Sequence, residues 1–413
     1  MIHLGENSIP FVFEISPDPE KWTNLSSLRL HGRVKVFNTT TNAAPAETEN
    51  WSVINNFYQS LFSKVIVKIN GTEISDPSSN PYPYKSYIET LLNYSNDFKE
   101  KILTASHWFE DPPNKTARVL EKKKSDGSEN ALFNPAYVER RTGIEKGAYN
   151  EFNLPIHSDI ITATKYLPPN YSLEIILTRM SDNFVILKGD DNANNYKIVL
   201  DNIHLSCDRL VVSERVNSAY NNSLRSTIPA TIPLTRNLIK AYPKSETATD
   251  LGVYNFYMGK VLPEAIYIAF VSQQAYNGDA KQNPFYFQNI ELLEASLIVN
   301  SYNEPSQPYT NTFESKRKMD LYFDFLRNVG GNMLESQSVP ITYDMYYGGY
   351  FILAFDRTRN KDNRFRRQRA DSGTIDINLK AKSPLSENIV VLVYATYSSS
   401  IELMGDDVRT ATF

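Results

Sequence analysis

Two distant stretches of this chain read alike. Phe57-Tyr58-Gln59-Ser60-Leu61 leads into a strand-like run that ends at Asn70, and Tyr286-Phe287-Gln288-Asn289-Ile290 leads into an apolar run that ends at Asn300. Each block is followed, past a polar stretch containing proline, by apolar residues at helical spacing. Gln59 and Gln288 hold the same place in the two blocks and stand 229 residues apart (288 − 59). Solenoid units recur every ~20–50 residues, so this is not one of them. A repeat spanning more than half of 413 residues implies two domains of one fold in tandem.

Strand patterns dominate both halves. Over 28–36, Leu28, Leu30, Val34 and Val36 alternate with Arg29, His31, Arg33 and Lys35, the period of a half-buried antiparallel strand. Val65, Val67 and Ile69 form a second such row, and Leu173, Ile175 and Leu177 a third. In the second half Ile266, Ile268 and Phe270 alternate, as do Ile375, Ile377, Leu379 and Ala381. The runs 198–205 and 390–397 are more continuously apolar and read as central strands buried on both faces.

Few helices are expected. Tyr84, Tyr87, Ile88, Leu91 and Leu92 make one apolar stripe, and Met319, Tyr322, Phe325 and Leu326 make a comparable one before Gly330-Gly331. Val53, Phe57 and Leu61 suggest a shorter helix. The first half carries extra sequence over 105–165, rich in Lys, Asp, Asn and Pro, which reads as a long functional or mobile loop. The polar segment 217–226 reads as the linker. The expected fold is all-β, two eight-stranded jelly-roll sandwiches with short helices in the loops: residues 1–215 with the insertion 105–165, then 216–413.

Composition excludes several functions. The net charge of −4 gives no global signal for nucleic acid. One cysteine, Cys207, rules out an internal disulfide and reads as a small buried apolar residue. No apolar stretch approaches the ~20 residues that span a bilayer, and no signal peptide is visible, so synthesis in the cytosol is expected. His3, His31, His107, His157 and His204 show no ligand spacing. There is no nucleophile elbow, phosphate loop or dinucleotide fingerprint. Asp190, Asn192 and Asn194 imitate the opening of a calcium loop, but Asn195 and Asp201 stand where Gly and Glu belong; a polar hairpin loop is expected. No catalytic residue, metal site or cofactor is assigned. The one sharp charge feature is Arg364, Arg366, Arg367 and Arg369 around Phe365 and Gln368, preceded by Arg357 and Arg359. It admits contact with acidic residues of a neighbouring subunit or plain solvation, with a grip on a phosphate backbone third.

The stretch from Phe57 through Asn70-Gly71 is followed by Asn80-Pro81-Tyr82-Pro83-Tyr84-Lys85-Ser86-Tyr87-Ile88-Glu89-Thr90-Leu91-Leu92. This string resembles the major capsid protein of Polinton/Maverick elements and their adintovirus-like relatives. The motif residues Tyr82, Pro83, Tyr84, Lys85, Tyr87, Ile88 and Glu89 carry the likeness, over about 40 residues. The tyrosines among them are expected to pack the helix on its own sandwich rather than to form a binding site.

The resemblance implies a double jelly roll that acts as a non-enzymatic structural protein. It implies homotrimers with a pseudo-hexagonal outline that tile an icosahedral shell around double-stranded DNA. A single jelly-roll protein would close the vertices, and DNA would be an indirect partner inside the virion. The rival readings are a two-domain β-sandwich carbohydrate-binding protein and a sandwich hydrolase with a deep cleft.

Overall fold

The structure, a computed structural model, describes residues 10–75, 81–114, 118–124, 126–225, 228–259, 261–312, 317–329, 339–357, 372–405 and 407–411. The first half contains β1 (Phe11–Ile15), β2 (Lys21–Thr23), β3 (Arg29–Asn38), β4 (Trp51–Val53), β5 (Phe62–Ile69), β6 (Thr72–Glu73), β7 (Asn150–Pro155), β8 (Leu173–Arg179), β9 (Ile186–Lys188), β10 (Tyr196–Ser206) and β11 (Arg209–Val211). These pair antiparallel as the sheets β1-β8-β5-β6 and β10-β3-β7, with short β2–β11 and β4–β9 ladders. The second half contains β12 (Ala230–Lys244), β13 (Val253–Gly259), β14 (Ala265–Ser272), β15 (Leu292–Val299), β16 (Tyr302–Tyr309), β17 (Ile352–Asp356), β18 (Gly373–Ala381), β19 (Ile389–Met404) and β20 (Asp407–Ala411). Here the sheets are β13-β18-β15-β16 and β12-β19-β14-β17, with β20 paired to β19.

The two halves match strand for strand. β1-β8-β5-β6 has the order of β13-β18-β15-β16, and β10-β3-β7 has the order of β19-β14-β17. From β12 to β19 the chain crosses repeatedly between its two sheets and closes an eight-stranded jelly roll. Among the described residues the first sandwich shows seven of these positions, without a counterpart of β12. The match extends to single atoms. Asn70 and Asn300 end β5 and β15 with φ of 46° and 49°, a left-handed conformation that asparagine tolerates better than most side chains. The Asn70 N–H donates to Ser172 O and its Oδ1 accepts from Ser172 N at 2.8 Å; the Asn300 N–H donates to Thr374 O and its Oδ1 accepts from Thr374 N at 3.0 Å.

The alternating rows behave as expected. Leu30, Val34 and Val36 of β3 and Ile375, Ile377 and Leu379 of β18 are buried. β19 is buried on both faces over its first seven residues. β10 is not: Tyr196, Ile198 and Leu200 are buried, but the residues between them are only partly covered, the pattern of a strand packed on one face only. Buried apolar side chains form one continuous cluster through both sandwiches.

The helices are α1 (Phe57–Ser60), α2 (Tyr82–Asn93), α3 (Asn96–Lys101), α4 (Pro135–Arg141), α5 (Asp182–Val185), α6 (Glu214–Arg225), α7 (Gln273–Tyr276), α8 (Met319–Asn328) and α9 (Tyr343–Tyr347). Three expectations about the helices and connections need correction. The presumed unpatterned linker at 217–226 is largely α6, held by Trp22 Nε1 donating to Asn217 Oδ1 at 2.8 Å and by Trp22 edge-on to Tyr220. Its apolar residues are too few for a helical stripe to stand out. The 105–165 segment is not one loop, since it contains α4 and β7 as well as a turn of 3-10 helix at Asp159–Thr162. In α8 the buried residues are Leu321 and Phe325, whereas Met319 is 63% exposed; Gly330-Gly331 lie outside the described residues. No helix among the described residues is long and apolar enough to cross a membrane.

Candidate functional site at the seam between the sandwiches

α2 carries the sequence motif. Pro81 holds an extended entry and Pro83 sits in the first turn, where a missing N–H costs nothing. Every residue from Tyr82 to Leu92 is buried, although Lys85, Ser86, Glu89 and Thr90 are polar. The reason is position. α2 lies between β6 and β7, and its far side meets the second sandwich. Tyr84 stacks on Tyr276 of α7 with centroids 5.6 Å apart and meets the edge of Phe285. Tyr87 stacks on Phe285 at 4.1 Å and is edge-on to Phe287, while its other neighbour is Trp108. The tyrosines were expected to pack the helix on its own sandwich; they pack it on both. Phe287 belongs to the second copy of the repeated block, so one copy of the repeat receives the helix that follows the other. Tyr82 stays in its own half and donates to Gln59 Oε1 at 2.6 Å.

The polar side chains of α2 form a buried cluster that bridges the halves. Lys85 Nζ lies 2.6 Å from Asp159 Oδ1 and 3.9 Å from Glu89 Oε1. Glu89 Oε1 accepts from Asn237 Nδ2 of β12 at 2.9 Å and from the Tyr394 hydroxyl of β19 at 3.2 Å. Its Oε2 lies 2.8 Å from His157 Nδ1. One turn of helix thus joins two residues of the first half, His157 and Asp159, to two of the second. Burial by itself would raise the Glu89 carboxyl, but the Lys85 charge and the hydrogen bonds from His157 and Tyr394 outweigh it and hold Glu89 below the usual carboxylate range. Burial would likewise lower Lys85, but the charges of Asp159 and Glu89 raise it instead. Both groups are therefore held in their charged forms.

Further contacts seal the same boundary. Thr235 N of β12 donates to Thr162 Oγ1 at 3.1 Å, Lys165 Nζ donates to Thr231 O at 2.9 Å, and Arg236 donates to Ile74 O. Asp111 takes Arg140 NH2 and Asn134 Nδ2 at 2.8 Å each and Asn283 Nδ2 at 2.9 Å, and its carbonyl accepts from Tyr350 OH at 2.9 Å. Arg140 is 1% exposed. Sequence reasoning missed Asp111 and Arg140, because no periodic signal connects them to Asn283 and Tyr350. The two pockets beside α2 hold about 20 Å³ each, room for roughly one water and not for a sugar or an acyl substrate.

Near this seam Lys99 donates to Leu91 O at 2.7 Å, and burial brings its amine down to about 8. A base whose folded pKa is lowered leaves the unfolded chain holding more protons between that value and ~10.4, so stability rises with pH across this window. We expect the stability difference between wild type and Lys99→Met to move in favour of wild type by about 1–3 kcal/mol as pH rises from 7.5 to 10. Urea melts of both proteins at each pH check this; a constant difference would show that Lys99 is not titrating there.

The other singled-out residues lie elsewhere. Arg357 Nε pairs with Glu304 at 2.8 Å and its NH1 donates to Pro263 O, both within the chain. Arg359, Arg364, Arg366, Arg367 and Arg369 lie outside the described residues. His31 and His204 stack across β3 and β10 at 4.8 Å. Asp190 pairs with Arg118, and Asn192 is tied to Asn50 O and Tyr196 OH. Cys207 is half-buried, and burial pushes its thiol up.

No family model matches the chain. An uncharacterized protein of Caenorhabditis elegans is 20% identical over 356 residues, 86% of this chain and 80% of that protein. A chain from the Sputnik virophage structure superposes with a TM-score of 0.61 at 11% identity, covering 99% of this chain and 86% of that one. The mavirus major capsid protein gives 0.51 at 11% identity over 98% and 88%, and the Faustovirus major capsid protein 0.52 at 10% over 96% and 87%. The fold is a double jelly roll. In this double jelly roll α2 is one of the elements that join one sandwich to the other.

Proposed function

We propose that the chain is a structural capsid subunit, divided into units 1–215 and 216–413, that self-associates as trimers. The observation that carries the reading is the likeness to a chain of the Sputnik virophage structure and to the mavirus and Faustovirus major capsid proteins through both sandwiches, over 96–99% of this chain. The seam supports it. A buried ion cluster and stacked aromatics join the two sandwiches, which a shell tile requires and a pair of independent binding modules does not. Three such blocks present six similar sandwiches and give a pseudo-hexagonal tile. The tiles enclose double-stranded DNA in an icosahedral shell, with a separate single jelly-roll protein at the vertices. The Polinton/Maverick lineage suggested by the α2 motif belongs to this reading, as do synthesis in the host cytoplasm and a non-enzymatic role.

Size-exclusion chromatography with light scattering is expected to give about 141 kDa, three chains of 47.1 kDa, and electron microscopy to show three-fold particles or shells. A stable monomer at micromolar concentration would overturn the reading and favour the carbohydrate-binding alternative.

A further inference from the structure

The buried cluster on α2 holds the parts of a condensation reaction as well as those of an ion pair. Lys85 Nζ lies 2.6 Å from Asp159 Oδ1 and 3.9 Å from Glu89 Oε1. One amine thus stands between two carboxyls, and all three side chains are almost wholly excluded from solvent. The two carboxyls differ in kind. Burial pushes both up; at Asp159 it prevails over the Lys85 charge and leaves the group raised, whereas at Glu89 the Lys85 charge and the hydrogen bonds from His157 and Tyr394 prevail over it and leave the group lowered. Neighbouring groups pushed apart in this way divide into an acid and a base. Space is present as well. Lys85, Asp159, His157 and Tyr82 line a cavity of about 20 Å³, room for one water.

We propose that Lys85 and Asp159 condense into an amide, a covalent cross-link between α2 and the turn of 3-10 helix at Asp159–Thr162, with Glu89 as the base. A proton first passes from Lys85 Nζ to Asp159 across their hydrogen bond, giving a neutral amine and a neutral acid. Nζ then attacks Asp159 Cγ. The new N–C bond forms and the C=O electron pair moves onto oxygen. Glu89 takes one proton from the nitrogen, now cationic, and hands it to the hydroxyl on Cγ. The C–O bond breaks, the C=O reforms, and one water leaves into the adjoining cavity. Ammonium and carboxylate have become amide and water, with Glu89 restored.

Two effects favour the step. Groups held in contact react at effective concentrations of ~10⁵–10⁸ M. A buried ion pair also keeps a desolvation penalty that a neutral amide lacks. The ion pair is the state of the freshly folded chain, and the amide forms from it once, without turnover. The cross-link joins residues 74 apart in sequence and fixes in place a helix that joins the sandwiches. The inference stands on this geometry and does not depend on the capsid reading.

Purified wild type, kept folded at neutral pH for days, is expected to lose the mass of one water by intact-mass spectrometry. A tryptic digest is expected to yield one peptide pair joined through Lys85 and Asp159. Lys85→Arg, which keeps the charge without the nucleophilic amine, is expected to hold the full mass of its sequence. Asp159→Asn is expected to lose ammonia in place of water, and Glu89→Gln to slow the loss about 10²-fold or more. Circular dichroism shows which variants fold, and the wild-type time course decides the matter even where one does not. Wild type that keeps its full mass, a stable ion pair only, would overturn the inference. So would a loss of water that persists in Lys85→Arg, because it would arise elsewhere. An unchanged rate in Glu89→Gln would overturn the role given to Glu89. A monomeric wild type bears on the capsid reading alone.

Discussion

Lys85→Ala is expected to lower the free energy of unfolding by about 3–5 kcal/mol, because it leaves the carboxylates of Asp159 and Glu89 buried without their cation. Lys85 and Asp159 are 2.6 Å apart, and both are almost wholly excluded from solvent. Removing one partner of such a pair costs far more than the pair contributes, since the surviving charge keeps its desolvation penalty. The double variant Lys85→Met with Asp159→Leu should therefore recover the part of the loss owed to Asp159, leaving the part owed to Glu89. Urea unfolding of the three proteins measures this directly. A single variant within 1 kcal/mol of wild type would mean that Asp159 and Glu89 do not depend on Lys85.

Tyr87→Ala should cost a similar ~3–5 kcal/mol through the cavity it opens. Tyr87 is 2% exposed and sits between Trp108 of the first half and Phe285 and Phe287 of the second. The loss would fall on the boundary between the sandwiches rather than inside either. We accordingly expect limited proteolysis to cut between the halves in this variant at protease levels that leave wild type whole. Tyr87→Phe, which keeps the stacking ring, should stay within about 1.5 kcal/mol. If Tyr87→Ala melted like wild type, the stacked aromatics would not be holding the seam.

Much of the fold was legible because β-sheets write themselves at short range. The alternation of Ile375, Ile377 and Leu379 needs only nine residues to declare a strand. The repeat was visible at Gln59 and Gln288 because both blocks enter equivalent strands, and it ended at Asn70 and Asn300 because both turns need the same left-handed residue. The double role of α2 was not legible. Lys85, Ser86, Glu89 and Thr90 look like the solvated face of a one-sided helix, and only long-range neighbours make them buried. Lys85 finds Asp159 74 residues away, and Glu89 finds Asn237 at 148 and Tyr394 at 305. No local window holds that information. The helix α6 was missed for the opposite reason: it is mostly polar, and its hold on the structure comes through Trp22 and Asn217, 195 residues apart.

That same α6 has a consequence for how assembly responds to dilution. Twelve helical residues span about 18 Å, so the two sandwiches are leashed by a short strut. Their mutual encounter is unimolecular, at an effective concentration in the millimolar range typical of short linkers. It stays complete however dilute the sample becomes. Meetings between separate molecules obey mass action instead. A cell making this polypeptide also cannot mismatch the supply of its two building blocks, because translation delivers them one to one.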